Sequence, residues 1–225
     1  MHKKIIVAGI GPGNEKYITP AALEKIRAAK FLVGGRRALA TFANDEQVTF
    51  PITKDLDAAI NFIREKISCG QVVVMVSGDP GYYSMLDLLL KNFDSSTIEV
   101  IPSISALQLA FAKISTAWHD ATLLSFHGRI PAGEKLKFAP KKILGLLTDA
   151  EYNSATISKL LLSLGWEKNS RLAICSRLSY DDEKIIETTL ADAVNSTPVK
   201  NCVLIVRESL QRSENSVARV TQARQ

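Results

Sequence analysis

The chain has 225 residues, 46% hydrophobic and 23% charged, with a formal net charge of +5, a composition ordinary for a soluble globular enzyme with a substantial core. Its basic residues are scattered and not gathered into a stripe with interleaved aromatics, which argues against nucleic-acid binding. No apolar run approaches the roughly 20 residues of a membrane span.

Residues 4–8 read as a first strand, followed by the turn Gly9-Ile10-Gly11-Pro12-Gly13. Thr19 and Pro20 open a helix that runs to Ala29, with Thr19 as N-cap and Pro20 at the first helical position. Residues 31–33 form a short strand ending in Gly34-Gly35. Residues 55–67 set Leu56, Ala59, Ile60, Ile63 and Ile67 on one face of an amphipathic helix closed by Gly70. Val72–Val76 is unbroken apolar sequence, the pattern of a strand buried on both faces of a parallel sheet. The segment Ser77-Gly78-Asp79-Pro80-Gly81-Tyr82-Tyr83-Ser84 follows, with Asp79 placed to cap the next helix, Pro80 at its first position, and its body over about 84–91. A strand is expected at Ile98–Ile101, then a helix over 103–114 burying Ile104, Leu107, Phe111 and Ile114.

Around residues 115–120 the pattern resets. Strands are expected at 122–126 and 143–147, a helix over 154–164 stopped by Gly165, and strands at 171–175, 184–188 and 201–206. Strand–helix alternation in the first half predicts a mainly parallel sheet covered by helices, and the strand-rich second half predicts a mixed sheet. The expected fold is α/β, with one α/β domain over 1–117 and a second over 118–225. From Ser209 onward the chain is polar and expected to fray.

Cys69, Cys175 and Cys202 are odd in number and widely separated, so they read as reduced thiols of a cytoplasmic protein. The first residues enter a strand without a signal-peptide cleavage pattern, which gives the same expectation. His2, His119 and His127 show no metal-ligand spacing with each other or with the cysteines, and no metal is expected.

Loops at the carboxyl ends of parallel strands are where open α/β sheets bind ligands. The run Gly9–Gly13 invites a dinucleotide reading, but Pro12 stiffens the turn and the second strand ends with no carboxylate for a ribose. The loop continues through residues 14–18 before any helix begins, and the phosphate-cradling Gly-Lys-Ser/Thr is absent. With the Gly78-Asp79-Pro80 loop and the segment 102–112 (PSISALQLAFA), the chain resembles the tetrapyrrole methylases, or class III S-adenosylmethionine-dependent methyltransferases. Residues 33–37 (VGGRR), 118–121 (WHDA), 125–129 (SFHGR), 147–149 (LTD) and 175–180 (CSRLSY) resemble the branch that methylates carbon 5 of a corrin precursor in cobalamin biosynthesis.

The resemblance implies S-adenosyl-L-methionine in a cleft between the two α/β domains, touching Ile10, Pro12, Gly78, Asp79, Tyr82, Ser103 and Ile104, then Leu147, Ala173 and Ile174 from the second half. Asp79 either accepts from the cofactor's ammonium or ribose, or only caps its helix. Backbone N–H groups near Ser103 could meet a carboxylate. A tetrapyrrole substrate is implied, whose rim carboxylates suit the guanidinium forks of Arg129, Arg36 and Arg37; each of these arginines could instead be a surface charge. His127 is the candidate base, or a histidine satisfied within the fold. In-line methyl displacement calls for alignment and exclusion of water, not a catalytic triad. The resemblance also implies a homodimer, and a separate C15-methylating decarboxylase in the same pathway. Another substrate (uroporphyrinogen, a diphthamide precursor or ribosomal RNA) is the alternative, against which the 125–129 segment and the two-arginine loop argue. A non-enzymatic scaffold is disfavoured because all three cofactor segments are intact.

Overall fold

The computed structural model describes residues 4–209. His2 and the part of the polar tail beyond Ser209 lie outside the described residues. The first half builds a five-stranded, all-parallel sheet of β1 (Ile5–Gly9), β2 (Phe31–Gly34), β3 (Val48–Pro51), β4 (Val72–Val76) and β5 (Ile98–Ile101), in the order β3-β2-β4-β1-β5. Its helices are α1 (Pro20–Ala28), α2 (Arg36–Phe42), α3 (Leu56–Lys66), α4 (Leu86–Asn92) and α5 (Ala106–Lys113). Successive strand side chains point to opposite faces, so a sheet covered on both sides needs continuous apolar strands. Ile5, Val7, Val72 and Val74 pack with Ile60, Ile63 and Leu89 on one face, while Ile6, Ala8 and Val73 pack with Ala22 and Ile26 on the other.

The cap expected at Thr19 is present, and Asp55 at the start of the expected 55–67 helix serves as one too. Thr19 accepts the Ala22 N–H at 3.2 Å, and Asp55 accepts the Ala58 N–H at 3.0 Å. Leu56, at the first position of α3, is 43% exposed, because the buried face settles on Ala59, Ile60 and Ile63.

Two helices start later than their spacing suggests. The helix after β4 begins at Leu86, so Asp79 does not cap it and Pro80 is not its first residue; Ser84 Oγ accepts the Leu86 N–H instead. The helix after β5 begins at Ala106, because Ser105 and Gln108 form a reciprocal capping box, which leaves Ile104 in the loop and 39% exposed.

The second half builds β6 (Ala121–Ser125), α6 (Gly133–Leu136), β7 (Ile143–Leu147), α7 (Ser154–Ser163), β8 (Arg171–Ser176), β9 (Lys184–Thr189), α8 (Leu190–Asn195) and β10 (Val203–Arg207). The sheet order is β6-β7-β10-β8-β9; β6 and β7 run parallel, and β10 is antiparallel to both its neighbours. The outer face packs on α7 and α8 through Ile157, Leu161, Leu190 and Ala193, with the Trp166 Nε1–H donating to the Leu136 carbonyl at 2.8 Å. The inner face is covered by α5: Leu107, Leu109, Ala110 and Phe111 pack against Ala173, Cys175, Val203 and Ile205. Cys69, Cys175 and Cys202 are free thiols, and burial pushes that of Cys175 up to about 12. No helix among the described residues is long and apolar enough to cross a membrane.

The seam between α5 and the second sheet leaves no space at Gly145 of β7. A Cβ there would stand 2.8 Å from Leu123 Cδ2, 2.9 Å from Phe111 Cε2 and 3.0 Å from Leu107 Cδ2. Gly145→Ala is expected to cost about 1–3 kcal/mol through overpacking. Urea unfolding should show a lower midpoint at unchanged slope, and an unmoved midpoint would show that the seam is looser than described.

Candidate functional site

The register Gly9↔Val76 brings the loops after β1 and β4 out of the sheet side by side. They are tied by the Gly78 N–H donating to the Gly11 carbonyl at 2.8 Å, with Gly78 at φ +71°, a conformation that costs glycine little. The loop after β5 joins them at Gly9. A Cβ on Gly9 would lie 2.7 Å from Ser103 Cβ, 2.8 Å from the Gly78 carbonyl oxygen and 2.8 Å from Pro80 Cδ.

Asp79 bridges two of these loops. Its Oδ1 accepts the Gly81 N–H at 2.8 Å and its Oδ2 accepts the Ser103 N–H at 3.0 Å. The carboxylate expected near the Ser103 backbone is therefore supplied by the protein itself. Tyr82 follows, half-buried, and its hydroxyl oxygen is buried with no hydrogen-bond partner among the described residues. Burial pushes this phenol above the ordinary tyrosine range, so it stays protonated, with a hydrogen bond to give. Tyr83, at φ +50°, sets its ring edge-on to Tyr82 at 4.7 Å.

The second sheet meets these loops at two places. The turn after β6 carries His127, Gly128 and Arg129, all exposed. Asp149, after β7, holds that turn by accepting the Gly128 N–H at 3.2 Å while also accepting from Glu151 and Tyr152. The Arg129 guanidinium lies 4.6 Å from the centre of the Tyr83 ring, so this turn reaches the loop after β4. At the other place, the turn between β8 and β9 docks on the first glycine loop. Ser179 Oγ accepts the Asn14 N–H at 3.1 Å, Tyr180 seats its hydroxyl against Gly13, and the Arg37 and Arg177 guanidiniums lie 4.9 and 4.5 Å from its ring centre. Glu183 anchors the turn, accepting the Ser179 N–H and pairing with Lys113 at the end of α5.

The structure thus brings Gly78, Asp79, Tyr82 and Ser103 together, with Pro12 in the adjoining loop and Ile104 beside Ser103. Leu147 packs in the same cluster as Tyr82 and Ala106. Ile10, Arg36 and Arg37 line a cavity of roughly 290 Å³ that also touches Gly13, Met75 and Ser77. Ala173 lies under α5 in the same cluster as Leu147 and Tyr82, 2% exposed, while Ile174, also 2% exposed, is in the core on the opposite face of β8 and is not brought to the loops. His127 stands in the same turn as Arg129 and near Asp149. Sequence reasoning gave no role to Tyr83, Arg177 or Tyr180. The exposed aromatic next to Tyr82 and the tyrosine closing the 175–180 segment were the available signals.

Among the described residues no three His, Cys, Asp or Glu side chains gather as metal ligands would. What the site offers is the open Gly35 beside the cavity, an unpartnered buried hydroxyl and cations at its rim. That set suits a small polar ligand held at the strand ends and an anionic molecule entering from outside.

A family model described as Tetrapyrrole (Corrin/Porphyrin) Methylases matches residues 4–194. The cobalt-precorrin-7 C(5)-methyltransferase of Salmonella typhimurium is 33% identical over 205 residues, covering 91% of this chain and 99% of that protein. The probable cobalt-precorrin-7 C(5)-methyltransferase of Methanocaldococcus jannaschii is 30% identical over 200 residues, covering 85% and 92%. In shape, the uroporphyrin-III C-methyl transferase of Thermus thermophilus complexed with S-adenyl homocysteine superposes with a TM-score of 0.73 at 20% identity, over 91% of this chain and 97% of that one.

Asp79→Ala removes the acceptor shared by the Gly81 and Ser103 N–H groups. It should lower stability by about 1–3 kcal/mol in denaturant unfolding; unchanged stability would mean the bridge is not formed in solution. Asp149 gives a pH test. Backbone N–H bonds from Tyr152 and Gly128 hold its carboxyl below the ordinary carboxylate range, so its contribution is present above the unfolded value, about 3.9, and fades as pH falls below it. The stability difference between the protein and Asp149→Asn should therefore be largest near neutral pH and shrink below about pH 4. A difference that is flat with pH would contradict the assignment.

Proposed function

The chain belongs to the tetrapyrrole (corrin/porphyrin) methylases, and on that premise we propose that it acts as a cobalt-precorrin-7 C(5)-methyltransferase of cobalamin biosynthesis, dependent on S-adenosylmethionine. The observation that carries this reading is the 33% identity to the Salmonella typhimurium enzyme across 99% of that enzyme's length.

The cofactor supplies, when bound, a methyl group on a sulfonium that leaves readily. The chain's part is to hold and align. Pro12, Gly78, Asp79, Tyr82 and Ser103 would form the cofactor side, with Ile104 and Leu147 at its margins. The fit rests on the unpartnered Tyr82 hydroxyl and on the open Gly35 in the cavity after β2. Ile10 would contribute from the cavity it shares with Arg36 and Arg37. Ala173 and Ile174, proposed by position, could act only through the wall they build, since neither has free surface.

Arg129, Arg36 and Arg37 are proposed to meet rim carboxylates of the macrocycle through paired hydrogen bonds. Arg129 is the foremost because it stands over Tyr83 at the mouth between the two sheets. A carboxylate arriving there would take the guanidinium in place of, or together with, the tyrosine face. His127, exposed two residues before Arg129, is the candidate to receive the proton that leaves the ring after methylation.

The proposed organisation is one α/β domain over 1–117 and another over 118–225, with α5 as the part of the first that packs on the second sheet. A cytoplasmic homodimer is proposed with it, as is a separate polypeptide for the C15 methylation and decarboxylation.

Arg129→Ala separates substrate from cofactor. Steady-state kinetics should show KM for the tetrapyrrole raised about tenfold or more by loss of a charge-assisted pair. Calorimetry should show S-adenosylmethionine binding close to one per chain and nearly unchanged by the substitution. Equal loss of both affinities would make Arg129 a docking residue between the sheets. No cofactor binding by the unsubstituted protein would overturn the function itself.

A further inference from the structure

The second sheet carries a cluster of cations at its pole opposite the site. In register, Arg207 at the end of β10 lies directly across from Arg171 on β8 and from Ile143 on β7. Leu147 and Ser125 end their strands at the other pole, four residues further along, or roughly 13 Å at about 3.3 Å per residue. Like charges directly opposite one another on neighbouring strands repel. Arg171 has Glu187 at 3.0 Å, but Arg207 has no carboxylate partner among the described residues.

Arg207 is half-buried. Its Nη1 donates to Thr116 Oγ1 at 2.8 Å, and its Nε is buried with no acceptor among the described residues. Burial, then the facing Arg171 charge, pulls this guanidinium below the ordinary arginine range. Beside it opens a cavity of roughly 160 Å³ lined by Lys141, Lys142, Ile143, Arg171, Arg207 and Glu208. The carboxylate in that lining is held within it, Glu208 Oε2 accepting the Lys141 backbone N–H at 3.0 Å, and is outnumbered by the cations around it. The Lys142 ammonium donates one hydrogen bond to the Lys137 carbonyl at 2.7 Å and has further N–H groups to donate.

We propose that this cavity is a binding site for one small oxyanion, a phosphate or a carboxylate, separate from the methyl-transfer site. The anion accepts from the Arg207 guanidinium and the Lys142 ammonium and screens the Arg171–Arg207 repulsion. A half-buried guanidinium without a carboxylate partner and a second cation across from it in register are each costly, and one anion offsets both. Binding here leaves the loops that would hold cofactor and macrocycle untouched.

The test is calorimetric titration of the full chain with inorganic phosphate, ionic strength being held constant with chloride. One saturable site per chain with Kd of about 1 mM or tighter is expected. Arg207→Gln should weaken it roughly tenfold or more by removing the guanidinium fork, with methyl-transfer rate unchanged. Lys142→Gln should weaken it too, and serves where Arg207→Gln does not fold. Arg129→Ala should leave phosphate binding as it was. Succinate should compete if the site takes carboxylates, and fail to compete if it is selective for phosphate; both outcomes keep the site. Absence of saturable binding at concentrations about tenfold above that Kd would overturn the proposal. So would binding unaffected by both substitutions at this pole, or binding abolished by Arg129→Ala, which would place the ion in the cleft.

Discussion

The absence of a side chain at Gly9 is the constraint on which the site depends. Gly9 ends β1 at the carboxyl edge of the parallel sheet, and the loops after β4 and β5 both close on its backbone: Gly78 and Pro80 from one and Ser103 from the other each come within 2.8 Å of where a Cβ would stand. Any larger residue would push at least one loop outward. With the loops seated, Asp79 can span from Gly81 to Ser103 with both carboxylate oxygens, and Gly78 can reach the Gly11 carbonyl. The geometry of the candidate cofactor side follows from packing at a single backbone position, then from a few hydrogen bonds that become possible because of it.

The two sheets are coupled by elements that belong, in sequence, to one half and, in packing, to the other. Helix α5 leaves the first sheet and buries Leu107, Ala110 and Phe111 on the second. The turn after β8 returns the contact, setting Tyr180 on Gly13 between β1 and α1. Lys113 and Glu183 join these two couplings, since one ends α5 and the other closes the turn. The two halves thus meet through a packed helix on one side and polar turns on another. That arrangement suits a reaction in which the protein aligns two bound molecules and keeps water out.

Much of this was legible from the sequence. Strands buried on both faces announce themselves as unbroken apolar runs, and Val72–Val76 and Ile143–Leu147 stand where those runs lie. Thr19 caps its helix with its own side chain, which the local pattern reveals, and the helix opening at Asp55 was marked by its amphipathic spacing. The elements that escaped are short or weakly marked. The helix α2 has a glycine N-cap with no side-chain bond, α8 follows β9 without an intervening loop, and β3 is four residues ending in proline. Asp79 illustrates the deeper reason. Its sequence neighbourhood reads as a helix cap, yet its partner is Ser103, 24 residues away, and only the closing of the loops on Gly9 brings them together. Ile174 faces away from the loops, and Ala173 lies beneath α5, for a related cause: burial on opposite faces of β8 is set by the packing of α5 and α7, which local spacing does not report.

The central claim is that these loops direct a methyl group onto carbon 5 of a corrin precursor. The most direct measurement is carbon NMR of the tetrapyrrole product formed from S-adenosylmethionine carrying a carbon-13 methyl group. The account requires one enriched methyl resonance coupled to carbon 5. An enriched methyl at any other ring position, or none with active cofactor and substrate present, would contradict it.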